Sequence, residues 1–305
     1  MNNSTDPAKN SRQTTQVRAP QWFANACAFT PDSNYFDYQG ARIHYLSWND
    51  KHQSHNAKGH EKPVLLFCHG FRGHSYWWSF VAPFFIEHYK VYALDFSGMG
   101  DSGFRETYDA NIHVDEILAF IEHLGVLKVS LVAHSYAGGR SFRAAQKKPA
   151  VFEKIIAIDS YLGFEGDTYD TDPVPYSNSR YYPSLAAGMQ RFRVVPPQDK
   201  VEPWINEHIA KYSLKAVDGQ WTWKFDPNLG IENLLATDGE EVMAAVKCKV
   251  DFIYGDESIV ISSARAHKTM AATANKGRLI VMPGGHHHMM VSNPEALIAT
   301  LQALL

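Results

Sequence analysis

Residues 128–139 read K-V-S-L-V-A-H-S-Y-A-G-G, and this stretch constrains the rest of the chain most. A short β-rich apolar run, Val129 to Ala133, leads into His134-Ser135-Tyr136, and a segment of helical composition, Arg140 to Lys147, follows until Pro149. Strand, sharp turn with one serine, and helix together make the layout of a nucleophile elbow. Small residues are needed around such a turn because strand and helix pack closely beneath it. Ala133, Ala137, Gly138 and Gly139 supply them, with alanine at two positions where glycine is usual. An ordinary strand-to-helix turn with a surface serine has the same local pattern, so the remaining sequence has to decide.

The pattern around this stretch is that of an α/β protein. Tyr35 to Tyr38 and Arg42 to Trp48 flank Gln39-Gly40 and predict an antiparallel hairpin, with Ile43, Tyr45 and Ser47 on one face and His44, Leu46 and Trp48 on the other. Pro63 to His69 contains the run V-L-L-F-C-H, which suits a strand buried on both faces. Further strands are expected at Val91 to Asp95, Lys154 to Ile158, Val250 to Tyr254 and Arg278 to Met282. Helices are expected at Tyr76 to His88 with Ser75 as N-cap, Tyr108 to Leu124, Ser262 to Ala274 and Pro294 to Leu305. This alternation implies a parallel sheet with flanking helices. The rhythm breaks over residues 160–246, where seven prolines and many aromatics fall, with helical pieces at Ser184 to Phe192 and Pro203 to Leu214 and an extended piece at Trp221 to Phe225. The division that results is a disordered leader over 1–20, a core domain formed by 21–159 and 247–305, and a cap inserted over 160–246.

Bulk properties exclude several classes. The formal net charge of -3 gives no electrostatic reason to bind nucleic acid or an anionic membrane. Cys27, Cys68 and Cys248 are odd in number and widely spaced, which fits neither a disulfide framework nor a zinc site, and suits a reducing compartment. Met1 to Pro20 lacks the apolar stretch of a secretory signal, and the apolar runs are too short to span a bilayer. The expected location is cytoplasmic. His52, His55 and His60 lie in a polar stretch that reads as a solvated loop rather than a metal site.

Five landmarks stand in one order: H-G-F-R-G after a buried strand (69–73), D-F-S-G-M-G-D-S-G after the next (95–103), A-H-S-Y-A-G-G at the elbow, the cap insertion, and G-G-H-H-H near the end (284–288). In this order the chain, from about residue 30 to 305, resembles the α/β-hydrolase superfamily, and within it capped serine hydrolases related to esterases, haloalkane dehalogenases and cofactor-free haloperoxidases. The resemblance implies a mostly parallel eight-stranded sheet flanked by helices, with a mainly helical cap. It implies Ser135 as nucleophile, a histidine of the late loop as base, and an acid that orients it. Counting back seven positions from Pro294 selects His287; adjacency to glycine would select His286. The usual acid position, three residues past Gly255, holds Ser258. The end of the strand before the cap, used by some relatives, holds Asp159, which becomes the first candidate, with Asp256 second. The oxyanion donors would be the amides of Tyr136 and Phe71. His69 would brace its loop, and Asp95 and Asp101 the glycine loop.

The expected activity is therefore cleavage of a small or medium carboxylic ester through an acyl-enzyme, without cofactor or metal, by a monomer or homodimer. The alternatives are carbon–carbon bond hydrolysis or perhydrolysis with the same triad, and a non-catalytic ligand-binding receptor. A serine at the elbow argues against the aspartate nucleophile of dehalogenases and epoxide hydrolases. Trp204, Trp221, Trp223, Phe192 and Tyr212 are candidates for an apolar cleft or for the cap's own core. Arg191 and Arg193 are candidates for carboxylate binding, with plain surface placement as the ordinary alternative.

Overall fold

The computed structural model describes residues 18–48, 61–167, 180–230 and 236–305. Most of the expected leader and the loop carrying His52, His55 and His60 lie outside the described residues. Helix α1 (Gln21–Ala28) precedes the expected hairpin, formed by β1 (Asp32–Tyr38) and β2 (Ala41–Ser47). The turn residues Gln39 and Gly40 both have positive φ, which matches the right-handed twist of the two strands. The parallel strands follow: β3 (Val64–Cys68), β4 (Lys90–Leu94), β5 (Val129–His134) and β6 (Phe152–Ile158). Helices α2 (Ile112–His123) and α3 (Tyr136–Lys147) connect them.

After the inserted stretch come β9 (Lys249–Gly255), α7 (Ser263–Ala272), β10 (Lys276–Met282), the short α8 (Met289–Ser292) and α9 (Pro294–Leu304). One eight-stranded sheet results, ordered β1-β2-β4-β3-β5-β6-β9-β10, parallel from β4 to β10 and antiparallel at the β1-β2 end. The α/β-hydrolase architecture read from the sequence is thus present.

Both faces of the sheet are covered, and the pleat sorts the residues. Along β3, Leu66 and Cys68 join a core with Leu131, Phe142, Ile155 and Phe252, while Leu65 and Phe67 join another with Val132, Trp78, Leu297 and Leu301. The hairpin obeys the same rule, since Ile43 and Tyr45 pack on the first side and Leu46 and Trp48 on the second. Cys68 and Cys248 are buried thiols and Cys27 is partly buried.

The helix expected over Tyr76 to His88 does not form. The segment makes two 3₁₀ turns, Ser75–Trp78 and Ala82–Phe85. Pro83 cannot donate a backbone hydrogen bond, and the large aromatics Trp77, Trp78, Phe80 and Phe85 are all buried, so tertiary packing outweighs helical spacing. Ser75 does not cap with its hydroxyl; its amide donates to the Asp95 carboxylate instead.

In the inserted stretch, α4 (Leu185–Met189), α5 (Pro203–Tyr212) and the hairpin of β7 (Leu214–Val217) and β8 (Gln220–Trp223) form one layer. Short contacts fasten this layer to the core. The His74 ring bonds the Ser213 hydroxyl at 2.8 Å, His208 bonds the Ser79 hydroxyl at 2.7 Å, and Tyr76 stacks on Tyr212 at 3.8 Å. Lys224 reaches Asp101 at 2.7 Å, and Tyr108 donates to Asp226 at 2.7 Å. Helix α6 (Gly239–Ala245), later in the stretch, packs between α3 and α7. Among the described residues no helix is long and apolar enough to cross a membrane.

Several buried histidines make this fold acid-sensitive. Burial holds His74, His113 and His288 down to about 3 and His208 to about 4, against 6.5 for an ordinary histidine. Unfolding releases these rings to bind protons that the native state refuses. Their contribution to stability is complete above about pH 6.5 and is lost progressively as pH falls from there toward 3. The urea midpoint should therefore drop steadily from pH 7 to pH 4.5, and the slope should flatten in His208→Gln. A midpoint constant between pH 7 and 5 would contradict this.

Candidate active site

The elbow is built as its sequence suggests. β5 ends at His134, α3 begins at Tyr136, and Ser135 between them has φ 53° and ψ -116°. Such a backbone costs a non-glycine residue roughly 1–3 kcal/mol and persists only when its surroundings hold it. The Ser135 amide donates to Ile158 O at 2.9 Å, and the Gly138 amide donates to Ser135 O at 3.0 Å. Two glycines let neighbouring chain close in. A Cβ on Gly138 would lie 2.2 Å from the Ser160 side chain, and one on Gly70 would lie 2.9 Å from His134 Nδ1 and 3.4 Å from Ser135 Cβ. Ala133 and Ala137 are fully buried, so a methyl group is tolerated where glycine is usual.

One strand over, β6 ends the same way. Asp159 has φ 43°, its amide donates to Ile253 O at 2.7 Å, and its side chain is fully buried. The carboxylate accepts three hydrogen bonds: His287 Nδ1 on Oδ2 at 2.7 Å, the Ser258 hydroxyl on Oδ2 at 2.5 Å, and the Gly255 amide on Oδ1 at 3.2 Å. With Nδ1–H held by the acid, His287 keeps its Nε2 lone pair to accept a proton. Ser258, standing where the acid is usually found, thus bonds the candidate acid Asp159.

The competing candidates face elsewhere. His286 Nε2 lies 3.4 Å from Glu257 Oε2, and Asp256 is exposed, with Oδ1 accepting the Gly285 amide at 3.3 Å. Of the alternatives left open by the sequence, the structure brings together Asp159 and His287.

Sequence reasoning missed the residue that fastens the histidine loop to the elbow. His134 donates from Nε2 to His287 O at 2.9 Å, and the two rings lie 4.8 Å apart. Burial, then the rings of His287 and His288, push His134 well below its ordinary value, so it is neutral near pH 7. Its adjacency to Ser135 was the available signal.

The two residues expected to supply oxyanion donors are neighbours through their side chains: the rings of Phe71 and Tyr136 lie 5.5 Å apart. The Tyr136 amide is the first of α3, and first-turn amides have no acceptor within their helix. Tyr136 is itself pinned, with its hydroxyl 2.7 Å from His113 Nδ1 and the Arg140 guanidinium 3.8 Å over its ring.

His69 braces its loop, donating from Nδ1 to Gly70 O at 2.7 Å and accepting the Phe96 amide at 3.3 Å. Asp95 organises the glycine loop through the Asp101 amide at 2.9 Å and the His44 ring at 2.7 Å. Among the described residues, two groups have the donor set for a cation, His134 with His287 and His288, and His44 with Asp95 and Asp101. An ion in the first would take a nitrogen of the catalytic candidate itself. In the second, Asp95 already accepts His44 and the Asp101 amide.

Of the aromatic candidates in the inserted stretch, Trp223 lines a cleft. Phe192 is buried, Tyr212 stacks on Tyr76, and Trp204 packs against the second core.

The sequence profile of the alpha/beta hydrolase family matches residues 65–300. The chain belongs to this family. It is 24% identical over 254 residues to a Haemophilus influenzae protein named as an esterase/lipase, spanning 80% of this chain and 83% of that one. It is 27% identical over 161 residues to epoxide hydrolase 4 of Mus musculus, spanning 50% of this chain and 41% of that one. Among solved structures, a thioesterase domain from the curacin biosynthetic pathway superposes with a TM-score of 0.73 at 18% identity, over 90% of this chain and 99% of that one. The last similarity speaks to fold alone.

The two carboxylates and Ser258 give a direct test. Asp159→Asn should lower turnover of a p-nitrophenyl ester by about 10³–10⁴-fold, since the imidazole loses its tautomer. Asp256→Asn should stay within about threefold of wild type. Asp159→Asn combined with Ser258→Asp should recover at least about tenfold of the loss, because the residue 258 side chain already reaches the same oxygen as His287. If Asp256→Asn is the more damaging change, the assignment of the acid fails.

Proposed function

We propose that this hydrolase cleaves carboxylic esters through an acyl-enzyme, with Ser135 as nucleophile, His287 as general base and acid, and Asp159 as the group that orients it. The observation that carries this reading is the buried 2.7 Å contact between His287 and Asp159, on a loop tied to the strained turn of Ser135. A serine hydroxyl is a poor nucleophile until a base takes its proton, and an imidazole fixed at Nδ1 offers Nε2 for that step.

In this reading Ser135 Oγ attacks the ester carbonyl while His287 Nε2 takes its proton. The carbonyl oxygen becomes an oxyanion between the amides of Phe71 and Tyr136. The imidazolium, stabilised by Asp159, then protonates the departing alkoxide, and the alcohol leaves an acyl group on Ser135. Water attacks this ester with His287 again as base, releasing the carboxylic acid and restoring the hydroxyl. The side chains of Phe71 and Tyr136 touch each other, and His113 and Arg140 pin the Tyr136 ring, which supports a fixed loop around the expected donors.

The esterase-named relative supports ester chemistry. The epoxide hydrolase relative covers half of this chain, and a serine at position 135 argues against the aspartate nucleophile of that chemistry.

A fluorophosphonate probe should label Ser135, and Ser135→Ala should lose both labelling and at least about 10³-fold in turnover of short p-nitrophenyl esters. A wild-type protein that is neither labelled nor active on these esters would refute the esterase reading. Labelling elsewhere would refute the nucleophile.

A further inference from the structure

A cleft of about 490 Å³ in the inserted layer is lined by Arg180, Arg191, Arg193, Tyr182 and Trp223, and neither Ser135 nor His287 is in its lining. Its size is that of a small-molecule site, but its chemistry differs from the catalytic centre. Three of its five lining residues are arginines, in a chain whose formal net charge is -3.

Elsewhere in the fold, Arg105 is paired with Glu116, Arg143 with Asp238, and Arg265 with Asp167. Among the described residues, Arg180, Arg191 and Arg193 have no carboxylate partner. All three are exposed, and together they give the cleft a positive field that an anionic ligand would complement.

The cleft is also built on fixed supports. Tyr182 and Trp221 exchange two backbone hydrogen bonds, at 2.8 and 2.9 Å, and the Thr222 hydroxyl donates to Arg180 O at 3.1 Å. Both contacts fasten the 180–182 segment to β8. Arg193 is oriented by donating to Gln190 O and Phe192 O at 2.9 and 2.6 Å. Tyr182 and Trp223 meet edge to face at 5.7 Å and form the aromatic wall.

A continuous stack joins this wall to the expected oxyanion loop. Trp223 lies parallel to Phe225 at 6.5 Å, and the guanidinium of Arg72, next to Phe71, sits 4.9 Å from the Phe225 ring. On the other side, Val195 O, two residues past Arg193, takes the His288 ring at 3.0 Å.

From this geometry we infer that the cleft binds an anionic group, a carboxylate or phosphate, carried by the substrate at a distance from its scissile carbonyl. The inference rests on the hydrolase reading and adds to it a substrate class. Arginine suits this task because its planar fork of donors matches carboxylate and phosphate oxygens two at a time. The aromatic wall contacts the apolar chain that leads to the anion.

Two substrate pairs separate the sources of the charge. The p-nitrophenyl half-ester of suberic acid against p-nitrophenyl octanoate places a carboxylate on the acyl side. Octanoyl-coenzyme A against S-octanoyl-N-acetylcysteamine places phosphates on the leaving side. The kcat/KM ratio of the anionic over the neutral member should favour the anion in one pair. In Arg180→Gln/Arg191→Gln that ratio should fall about tenfold, the loss expected from charge-assisted hydrogen bonds. Ratios near one in both pairs, unchanged by the substitutions, overturn the proposal even if the neutral esters are cleaved.

Calorimetric titration of suberate and of coenzyme A into Ser135→Ala reads the cleft without turnover. A dissociation constant weakened about tenfold by the arginine substitutions supports the inference even where none of the substrates is turned over. No binding of either compound refutes it. Absence of turnover on all four substrates, with binding intact, refutes the hydrolase reading and leaves the anion site standing.

Discussion

Three neighbouring strands of the sheet hand one hydrogen bond to the next just where they end, and the candidate site hangs on that relay. The Ser135 amide, past the end of β5, donates to Ile158 O on β6. The Asp159 amide, past the end of β6, donates to Ile253 O on β9, and the Gly255 amide, at the end of β9, donates to the Asp159 carboxylate. Both Ser135 and Asp159 take a left-handed backbone that a side-chain-bearing residue normally avoids. Each is held there because its amide still belongs to the sheet while its chain has already turned away. A rigid ladder thus sets the spacing between the candidate nucleophile and the candidate acid, as a preorganised site requires.

The histidine loop is fitted to this frame by close approach rather than by its own secondary structure. A Cβ on Gly255 would lie 2.0 Å from Gly285 O, so the end of β9 and the loop before the histidines touch backbone to backbone. His134 then clips the loop to the elbow through His287 O, and Asp159 fixes the ring. Three adjacent histidines consequently point three ways: one to Glu257, one to the acid, one to Val195 O. Only the middle one meets a buried carboxylate.

The sheet and the elbow were legible in the sequence because they rest on local patterns. Alternating apolar runs, glycine punctuation and a serine among small residues each constrain their own neighbourhood. The failures are tertiary. Ser75 to Phe85 has helical spacing of aromatics, yet Pro83 and the burial of those rings produce two tight turns instead. Whether Asp159 or Asp256 faces the histidine depends on the direction of a turn after a strand, which no local pattern encodes. Ser258 looked like a missing acid, and only its 2.5 Å contact with Asp159 shows that it belongs to the same hydrogen-bonded group. The arginine cleft gathers residues 180, 182, 191, 193 and 223 from three segments, so the sequence could name two of its arginines but not their convergence.

The fastening of α5 to the core bears on whether this layer can move. His74 is fully desolvated beneath Ser213, and Tyr76 lies flat on Tyr212 at van der Waals distance. Lifting this helix would hydrate the His74 ring and separate two aromatic faces, so the layer resists swinging on a hinge. It is held as a fixed layer against the segment that follows β3.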